Sequence, residues 1–495
     1  MGTTADKLNY LLATKDEIKA AITAKGVDVS SSTFRECAQK IREIPQEINV
    51  VEPTITKGNT DVRFLDYDGT LIHSFTKEEF LALTEMPTLP SREGLICQGW
   101  NYTIEDAKAY VSEYGVLDVG ATYITDDGKT RLYITIATEG RQDVPLYISQ
   151  TIANGVTIDW GDGSATETLS GTGNVNTTHH YNEIGDYVIS LDVADGCTLG
   201  LGRDSSSHCV MGWTGDSGRV YCNMLKRAEI GNGVTSIENY ALSYCFSLAS
   251  AVIPQGVTKI GNYAFFHCYS LTSVVIPQGV TSIGYSAFTY CYPLSSVVIP
   301  QGVTSIESQA FQDCSSLPSI VIPQSVTKIG GNAFSSCYSL PSVVIPQGVT
   351  SFGSYVFSYC YSLASVVISQ GVTSIGNGAF YGCRSLPSVV IPQGVTIIVE
   401  QAFYGCHSLS SVVIPRGVTR LESHAFGSCY GIAYFDFRTH TSVPTLLNYN
   451  AFSYIASDCK IVVPDVLYDE WIAAESWSDS SVVGKIIKAS DFESL

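Results

Sequence analysis

The chain has 495 residues, of which 45% are hydrophobic and 15% are charged, and its formal net charge is −19. This composition supplies packed cores and excludes a disordered chain, and the length predicts several domains. The acidic balance argues against nucleic-acid binding, because such a surface repels phosphate, and no apolar run reaches the roughly 20 residues of a membrane helix.

Residues 1–46 predict two short helices, each of which begins with a capping box, TKDE at 14–17 and TFRE at 33–36. The stretch KLNYLLATKDEIKAAITAKG…TFRECAQKIREI resembles N-terminal segments of tail-associated proteins in phages and prophages of gut bacteria. The resemblance implies that these helices attach the chain to a particle, and the alternative is a helical hairpin used for oligomerisation. The first ten residues have no signal-peptide pattern, so we expect no export by the general secretory route.

Residues 51–140 predict a small α+β adaptor. Two helical stretches, TKEEFLAL and TIEDAKAYVSEYG, follow a first strand. The later stretch YITDDGKTRLYITI has alternating strands on both sides of an Asp-Gly turn, which predicts a β-hairpin. The segment resembles a module that recurs in gut Firmicutes and their prophages ahead of repeat regions.

The first strand and turn, VRFLDYDGTLI, match the first motif of haloacid-dehalogenase-like phosphatases. In that family Asp66 would be the nucleophile and Asp68 the general acid/base, and Asp126 with Asp127 would be the magnesium pair. That fold needs several βαβ units between the two motifs and a lysine at a third, and the chain between them is too short. We therefore predict that the chain is not an enzyme, with no catalytic residues and no cofactor.

Residues 141–196 contain VTIDWGDGSATETL followed by HHYNEIGDYVISLDV. These residues resemble a polycystic-kidney-disease-type (PKD) domain, which implies an immunoglobulin-like β-sandwich. In that family WGDG at 160–163 forms a strand end and turn, and Tyr181, Gly185 and Tyr187 lead the closing strands.

Four polar residues of this segment raise the question of a metal site. Asp159 and Asp162 suit either calcium binding or turn capping, and we favour turn capping. His179 and His180 have no nearby ligands in the sequence, so we expect no metal there.

A 23-residue repeat occupies residues 234–437, after a Gly-, Ser- and Cys-rich stretch at 197–233 that we predict to be its N-terminal cap. The unit is LxSVVIPQGVTSIGxxAFxxCxS, and nine cysteines fall at steps of 23 residues from Cys245 to Cys429. SVVIP predicts a strand ended by proline, Gln-Gly a turn, VTSI a second extended piece, and AFxxC a helical turn or bend. One coil cannot bury its own apolar residues, so the coils must stack into a solenoid.

The cysteine row has more than one interpretation. We favour a ladder of buried thiols that act as small apolar side chains, and disulfides between adjacent coils are the alternative. A single row does not supply the clustered ligands that a metal site requires, so no metal is predicted.

The repeat resembles the BspA-like, or Treponema-type, leucine-rich-repeat family in its strand, Ile-Pro, V-x-x-I-G, A-F-x-x-C and leucine positions. The resemblance implies a surface protein that binds host or matrix partners. The tail KIVVPDVLYDEWIAAESW resembles the C-terminal cap of that family, a strand ending in Val-Pro before an aromatic-rich helix, so residues 438–495 are predicted to be a cap. The predicted fold is mainly β and multidomain, with small helical and α+β adaptors ahead of a β-sandwich and the solenoid.

The positions that vary between copies flank the Ala-Phe and Cys positions. A row rich in Tyr, Ser and His is typical of recognition surfaces, because these side chains give contacts at a low entropy cost. The alternative is that the rings pack half-buried along the coil edge. The solenoid carries few charges of either sign, which favours a protein or glycan partner. The candidate ligand-binding residues follow the cysteines and are Tyr269, Tyr292, Tyr338, Tyr361, Arg384, His407 and Tyr430.

Together these features predict a non-enzymatic binding protein without membrane insertion. The adaptor order favours a receptor-binding tail component of a phage or phage-tail-like particle, located in the virion or an extracellular particle. Its N-terminal helices would bind other virion or tail proteins, and its repeats would bind a protein or glycan receptor on a bacterial surface. A homo-oligomer is compatible with this function. The alternative is a bacterial cell-surface adhesin with BspA-like repeats.

Overall fold

The computed structural model describes residues 61–115, 117–202, 208–213, 219–447 and 449–493. These residues all lie in one compact unit, Ile55–Leu495. The predicted helices of residues 1–46 fall outside the described residues, so their role in attachment stays a prediction.

The first described segment is a four-stranded sheet with two helices, which we call the α+β layer (residues 62–125). Its elements are β1 (Val62–Leu65), β2 (Leu71–Phe75), α1 (Lys77–Ala82), β3 (Leu95–Trp100), α2 (Ile104–Tyr114) and β4 (Leu117–Thr125). The strand order is β2-β1-β4-β3, in which β1 and β4 are parallel and the outer pairs are antiparallel. Thr76 forms a capping box with Glu79 at the start of α1, and Thr103 caps α2, so both predicted helices are confirmed.

The hairpin predicted at the Asp-Gly turn is wrong. The chain does turn at Gly128, but β4 pairs with β1 and β3, whereas the next strand, β5 (Thr130–Ile136), pairs with strands of another sheet. All nine residues of β4 are buried, whereas β5 alternates between buried and half-buried residues. β4 is covered on both faces and β5 is more fully covered on one face than on the other, so the two strands lie in different layers. The residues of the turn between them do not encode this difference.

Residues 130–201 form seven strands in two sheets. After β5 come β6 (Asp143–Gln150), β7 (Val156–Asp159), β8 (Glu167–Thr168), β9 (Gly173–His180), β10 (Gly185–Val193) and β11 (Leu199–Leu201). One sheet contains β5, β7, β8 and β10, and the other contains β6, β9 and β11. In the shared hydrophobic cluster Tyr181 is buried and its hydroxyl donates to the carbonyl of Trp160 at 2.8 Å. The PKD-like prediction began at residue 141, but β5 pairs with β10 along seven residues, so this sheet recruits chain that was assigned to the adaptor.

The two sheets continue directly into the repeats. The connecting elements are β12 (His208–Cys209), β13 (Gly212–Trp213), α3 (Arg219–Cys222), β14 (Leu225–Glu229) and β15 (Val234–Ile237). β14 pairs with β5 on one side and with the first repeat strand, β16 (Ser250–Val252), on the other. β15 likewise pairs with β11 and with β17 (Lys259–Ile260). The first coil therefore has no open edge, since both of its ladders are hydrogen-bonded to preceding strands.

Most repeats contribute a strand at the SVV position, as predicted, although residues 319–322 and 388–391 do not, and most add a second short strand at the SI position. The strands pair in parallel and in register, so that Val274 of one coil faces Val297 of the next. The AFxxC segment is a series of turns, which confirms the predicted helical turn or bend. The further repeat strands are β18 (Ser273–Val275), β19 (Ser282–Ile283), β20 (Ser296–Val298), β21 (Ser305–Ile306), β22 (Lys328–Ile329), β23 (Ser342–Ile345), β24 (Ser365–Ile368), β25 (Ile397–Ile398), β26 (Ser411–Val413) and β27 (Arg420–Leu421).

The solenoid core consists of columns of identical residues. We number the coils 1 to 9 by their cysteines, from Cys245 to Cys429. The ring planes of Phe288 and Phe311 lie 2° apart with centroids 5.2 Å apart, and similar stacks continue along the column. The nine cysteines are free and buried, and the thiol of Cys314 donates to the carbonyl of Phe288 at 3.3 Å. The same contact recurs in each coil from coil 2 onward, so the predicted thiol ladder is confirmed and also links the coils by hydrogen bonds.

The C-terminal segment extends the same strand ladder beyond coil 9. Its elements are β28 (Tyr434–Asp436), β29 (Thr445–Leu446), β30 (Lys460–Val463), α4 (Tyr468–Ala473), α5 (Ser480–Val483), β31 (Ile486–Lys488) and α6 (Ala489–Glu493), with short 3₁₀ turns at Tyr449–Phe452, Asp465–Leu467 and Glu475–Trp477. The predicted strand and aromatic helix are β30 and α4, with Trp471 fully buried. Trp477 is also buried, and its indole N–H donates to the carbonyl of Pro444 at 2.7 Å. These rings cover apolar surface that the last coil would otherwise expose.

The α+β layer lies against the outward side of the strands at the SVV positions of the repeats, which we call the strand face. Polar contacts fix its position: the Tyr102 hydroxyl donates to the carbonyl of Ile299 at 2.8 Å, and the Ser273 hydroxyl donates to that of Tyr67 at 3.0 Å. The valine at the third position of the SVV segment in coils 2 to 6 is buried in the hydrophobic cluster of the layer. These valines are Val252, Val275, Val298, Val321 and Val344. Five coils of strand face are therefore occupied by the chain itself.

Candidate functional site

The AFxxC segments form a third face of the solenoid, which we call the turn face. Here alternate backbone N–H groups donate to the next coil: Tyr240 to Asn262 at 2.9 Å and Tyr244 to Phe266 at 2.7 Å. The same pattern recurs from coil to coil, so the turns are tied together as firmly as neighbouring strands. Side chains on this face are consequently presented by a rigid backbone.

Two residues of each coil on the turn face have left-handed backbone conformation, the residue before Ala and the residue before Cys. Coil 7 has glycine at both positions, Gly378 and Gly382, whereas coil 2 has Tyr263 and His267 with φ near 60°. The left-handed conformation costs a non-glycine residue roughly 1–2 kcal/mol. Non-glycine side chains, including several tyrosines and two histidines, thus occupy most of these positions, although glycine would be less strained there.

The seven predicted site residues form one column, because each directly follows a cysteine. Tyr269, Tyr292, Tyr338 and Tyr430 are 41%, 42%, 41% and 57% exposed. The rings stack on one another, with 5.4 Å between the centroids of Tyr269 and Tyr292. The rings are therefore packed against each other and exposed to solvent at the same time. The packing agrees with the interpretation that the rings lie half-buried along the coil edge, and the exposure agrees with the interpretation that they form a recognition surface.

The column is divided into two blocks at coil 4, where Ser315 replaces the ring. In the second block Tyr361 stacks on Tyr338 at 5.1 Å, and the guanidinium of Arg384 lies 4.8 Å from the centroid of the Tyr361 ring. His407 and Tyr430 continue the block with centroids 5.1 Å apart. We call these residues, together with Phe246, the aromatic column.

A polar cluster lies beside the gap in the column. The amide of Gln309 donates to Gln312 at 2.8 Å, and the amide of Gln312 donates to the carboxylate of Asp313 at 3.1 Å. Burial raises the pKa of Asp313 above its ordinary value, although the hydrogen bonds that it accepts act in the other direction. The turn face thus offers hydrogen-bonding groups between two aromatic blocks.

Burial keeps three ring side chains of the turn face uncharged. Burial raises the pKa of Tyr292 and raises that of Tyr263 to about 12, so both phenols stay protonated near neutral pH. Burial and the nearby Arg384 lower the pKa of His407, so its imidazole is uncharged at pH 7. Phenols and a neutral imidazole can both donate and accept hydrogen bonds without attracting either sign of charge.

The strand face beyond the α+β layer is a feature that sequence reasoning missed. Val390 and Val413, in coils 8 and 9, are 55% and 56% exposed, although they occupy the same repeat position as the buried Val275. The repeat gives no signal for this difference, because only the position of the α+β layer separates the covered valines from the exposed ones.

The phosphatase-like motif has a structural role. Asp66 is fully buried and accepts a hydrogen bond from the guanidinium of Arg92 at 2.6 Å and another from the backbone N–H of Tyr67 at 2.8 Å. Asp68 accepts the N–H of Thr70 and closes the turn. A carboxylate that is buried in an ion pair cannot approach a phosphate ester, so the motif does not form a nucleophilic site.

Asp159 and Asp162 cap turns in and beside the WGDG segment, as predicted. Asp159 accepts the N–H of Gly161 and Asp162 that of Ser164, both at 3.0 Å. The two neighbouring histidines, at which no metal is expected, each contact a carboxylate: His179 contacts Asp162, and His180 contacts Asp143, each at 2.8 Å. Burial acts to raise the pKa of Asp162, but hydrogen bonds from Ser164 and His179 outweigh it and lower the pKa to about 2.

Metal and membrane sites can be assessed for the described part of the chain. Among those residues no group of three or more His, Cys, Asp or Glu side chains is placed to hold a metal ion. None of the helices in the described ranges is long and apolar enough to cross a bilayer.

Comparison with known proteins identifies the repeats. A family model described as a BspA type leucine rich repeat region matches in six copies, over residues 220–341, 281–397 and 328–457. Upstream of these ranges no family match supports the PKD-like or the phage-tail-like resemblance. No curated protein matches the chain.

Solved structures of bacterial leucine-rich-repeat proteins are similar to the chain. A leucine rich cell surface protein from Faecalibacterium prausnitzii is 32% identical, with 49% of this chain and 73% of that chain covered and a TM-score of 0.35. A leucine rich repeat protein of T. pallidum is 27% identical, with 46% of this chain and 84% of that chain covered and a TM-score of 0.28. Because these TM-scores are below 0.5, the relationship rests on sequence similarity and not on superposition.

Proposed function

We propose, on the premise that this chain belongs to the BspA-type leucine-rich-repeat proteins, that it is a non-enzymatic binding protein of a bacterial cell surface. Proteins with these repeats are generally binding or surface proteins, and the Faecalibacterium relative is named as a cell surface protein. The tail-particle function that the N-terminal segment suggested has no support from the comparisons, and the surface function that stood as its alternative is favoured.

The observation that carries this proposal is the aromatic column. Its rings are held by stacking and by a hydrogen-bonded turn backbone, yet Tyr269, Tyr292 and Tyr338 each keep about two fifths of their surface exposed. Tyrosines that are already ordered lose little entropy on binding and contribute large contact areas. A partner that lies along the solenoid would cover several rings at once.

The chemistry of the turn face favours a protein or glycan partner. Burial raises the pKa of Tyr292 and lowers that of His407, so both side chains are uncharged at neutral pH, and the polar cluster around Gln312 supplies amide groups between the aromatic blocks. Rings that cover apolar partner surface, next to amides that bind hydroxyl or peptide groups, suit both classes of partner.

The cysteines support a location outside the cytosol. Cys209 and Cys222 are buried and joined by a disulfide near the start of the solenoid. Structural disulfides persist in oxidising compartments and are rare in the cytosol. The free ladder cysteines are protected from oxidation because burial excludes solvent and raises their thiol pKa values, to about 12 for Cys360.

The test replaces four rings of the column with alanine, at Tyr269, Tyr292, Tyr338 and Tyr361. The control replaces four exposed threonines of another column, Thr258, Thr281, Thr327 and Thr350. Binding of each purified protein is measured on an array of extracellular-matrix proteins and glycans. We expect the tyrosine variant to bind at least about tenfold more weakly than the control, because packed aromatic residues dominate binding energies.

Stability measurements on the same variants separate binding from folding. Stacked pairs contribute roughly 0.5–1.5 kcal/mol each, so the tyrosine variant should melt cooperatively at a modestly lower temperature. Unchanged binding would rule out the column as the binding face. A fall in Tm beyond roughly 10 °C would show that the rings hold the solenoid together, and the proposal would then fail.

A further inference from the structure

A pocket lies where the α+β layer meets coils 3 and 4, away from the aromatic column. Its volume is about 320 Å³, near the lower limit of the roughly 300–1,000 Å³ of small-molecule sites. Both parts of the molecule supply its walls, which are lined by Asn101, Tyr102, Asp106, Gln278, Gln301 and Gly302. The pocket therefore exists only while the layer is docked on the repeats.

The most informative residue in the pocket is Asn101, which is 1% exposed. The side-chain Oδ1 of Asn101 accepts the backbone N–H of Gly120 at 2.7 Å, and the backbone N–H of Asn101 donates to the Gly120 carbonyl at 2.9 Å. The orientation of the side-chain amide is therefore fixed. Its Nδ2 has no hydrogen-bond partner within the described part of the chain. Because an unpaired buried donor destabilises the protein, this N–H group calls for an acceptor that a ligand would bring.

The other walls of the pocket are polar but carry only one charge. Asp106 accepts a hydrogen bond from the Thr103 hydroxyl at 2.9 Å, and a carboxylate can accept several more. Gln278 and Gln301 add two amides, each of which donates and accepts. Tyr102 is held by its bond to Ile299, so its ring is a fixed wall.

These groups discriminate between classes of ligand. An anion would be repelled by Asp106, and an ammonium group would leave the N–H groups of Asn101 without an acceptor. A hydroxyl group both donates and accepts, so a ring with several hydroxyls satisfies the carboxylate, the amides and Asn101 together. We propose that this pocket binds one pyranose ring of a neutral sugar.

The repeat supplies a matched control for this site. The glutamine of the Ile-Pro-Gln-Gly segment recurs every 23 residues, and in coil 2 Gln255 is used for docking, with its amide donating to Thr122 at 3.0 Å. Gln278 and Gln301 line the pocket, whereas Gln370 and Gln393 are exposed in coils 7 and 8 and do not line it. The same substitution can therefore be made at chemically identical positions inside and outside the pocket.

The experiment titrates the full chain with glucose, galactose, mannose and N-acetylglucosamine, and follows binding by saturation-transfer difference NMR. We expect at least one of these sugars to bind with a Kd of about 1 mM or tighter. Substituting both Gln278 and Gln301 with alanine should weaken that binding about tenfold, because two hydrogen bonds are lost, and the variant at Gln370 and Gln393 should bind like the parent.

Two results would overturn the proposal: no binding of any of the four sugars, or equal weakening in both glutamine variants. The four-tyrosine variant should keep its sugar affinity, because no residue of the aromatic column lines the pocket. Failure of the sugar site is thus distinguishable from failure of the surface-binding function.

Discussion

Docking of the α+β layer on the strand face can be tested at a single close contact. A Cβ atom added at Gly120 in β4 would lie 2.7 and 2.8 Å from the two methyl groups of Val275. Both residues are buried, so the clash cannot be relieved into solvent. Overpacking of this kind costs about 1–3 kcal/mol, and we expect Gly120→Ala to lower the free energy of unfolding by that amount.

A double-mutant cycle gives this prediction its sharpest form. Val275→Ala alone removes two buried methyl groups and should cost about 2 kcal/mol. In the double variant the new Cβ occupies the vacated space, so its cost should be smaller than the sum of the single costs by at least about 1 kcal/mol. Val390→Ala, at the same repeat position but 55% exposed, should change stability by less than about 0.5 kcal/mol.

Urea denaturation measures these free energies, and hydrogen exchange of Leu117–Thr125 reports whether the layer itself opens. Strictly additive costs, or equal costs of Val275→Ala and Val390→Ala, would refute the docked arrangement of the layer. Such a result would also remove the pocket around Asn101, since that pocket needs both walls.

Three further predictions concern the solenoid. Burial raises the pKa values of the ladder thiols, to about 12 for Cys360, so their contribution to stability should be fully present below pH 9. It should be lost as the pH rises from 9 toward 12, and unfolding measured at alkaline pH checks this. The His407 pKa, measured by NMR, should lie below 6.5 and should rise on Arg384→Ala, because that substitution removes a neighbouring positive charge. An unchanged pKa would contradict this electrostatic effect of Arg384. Trp477→Ala should cost about 3–5 kcal/mol and expose the C-terminal end of the ladder to proteolysis, whereas an unaltered urea midpoint would show that the ring is dispensable.

The coil could be predicted from the sequence because each copy follows local rules. A β-branched SVV run ended by proline gives a strand, and stacking identical coils places every Cys in an interior column. The position of the aromatic column followed from spacing alone, since residues at one repeat position must lie in one row. The hydrogen bond from each thiol of coils 2 to 9 to a carbonyl of the preceding coil, such as Cys314 to Phe288, depends on the exact stacking and could not be derived.

Choices between distant partners could not be predicted. The Asp-Gly turn after Asp127 correctly indicates a reversal of the chain, but not that β4 and β5 then join different sheets. The disulfide between Cys209 and Cys222 closes a short loop, but its pairing was not singled out among the 15 cysteines. The coverage of Val275 depends on contacts with the α+β layer, which is far away in the sequence. Exposure of Val390 has the same origin, because the sequence of its coil matches that of covered coils.

The most direct test of the surface-binding function is to treat intact cells of the encoding organism with protease and to identify the released peptides by mass spectrometry. Phage-tail-like particles induced from the same culture serve as the comparison. We predict that peptides from exposed turns of residues 234–437 are released from intact cells and that the chain is absent from purified particles. Recovery of the chain only in particles, at a fixed ratio to tube or baseplate proteins, would contradict the surface location and restore the tail-component hypothesis.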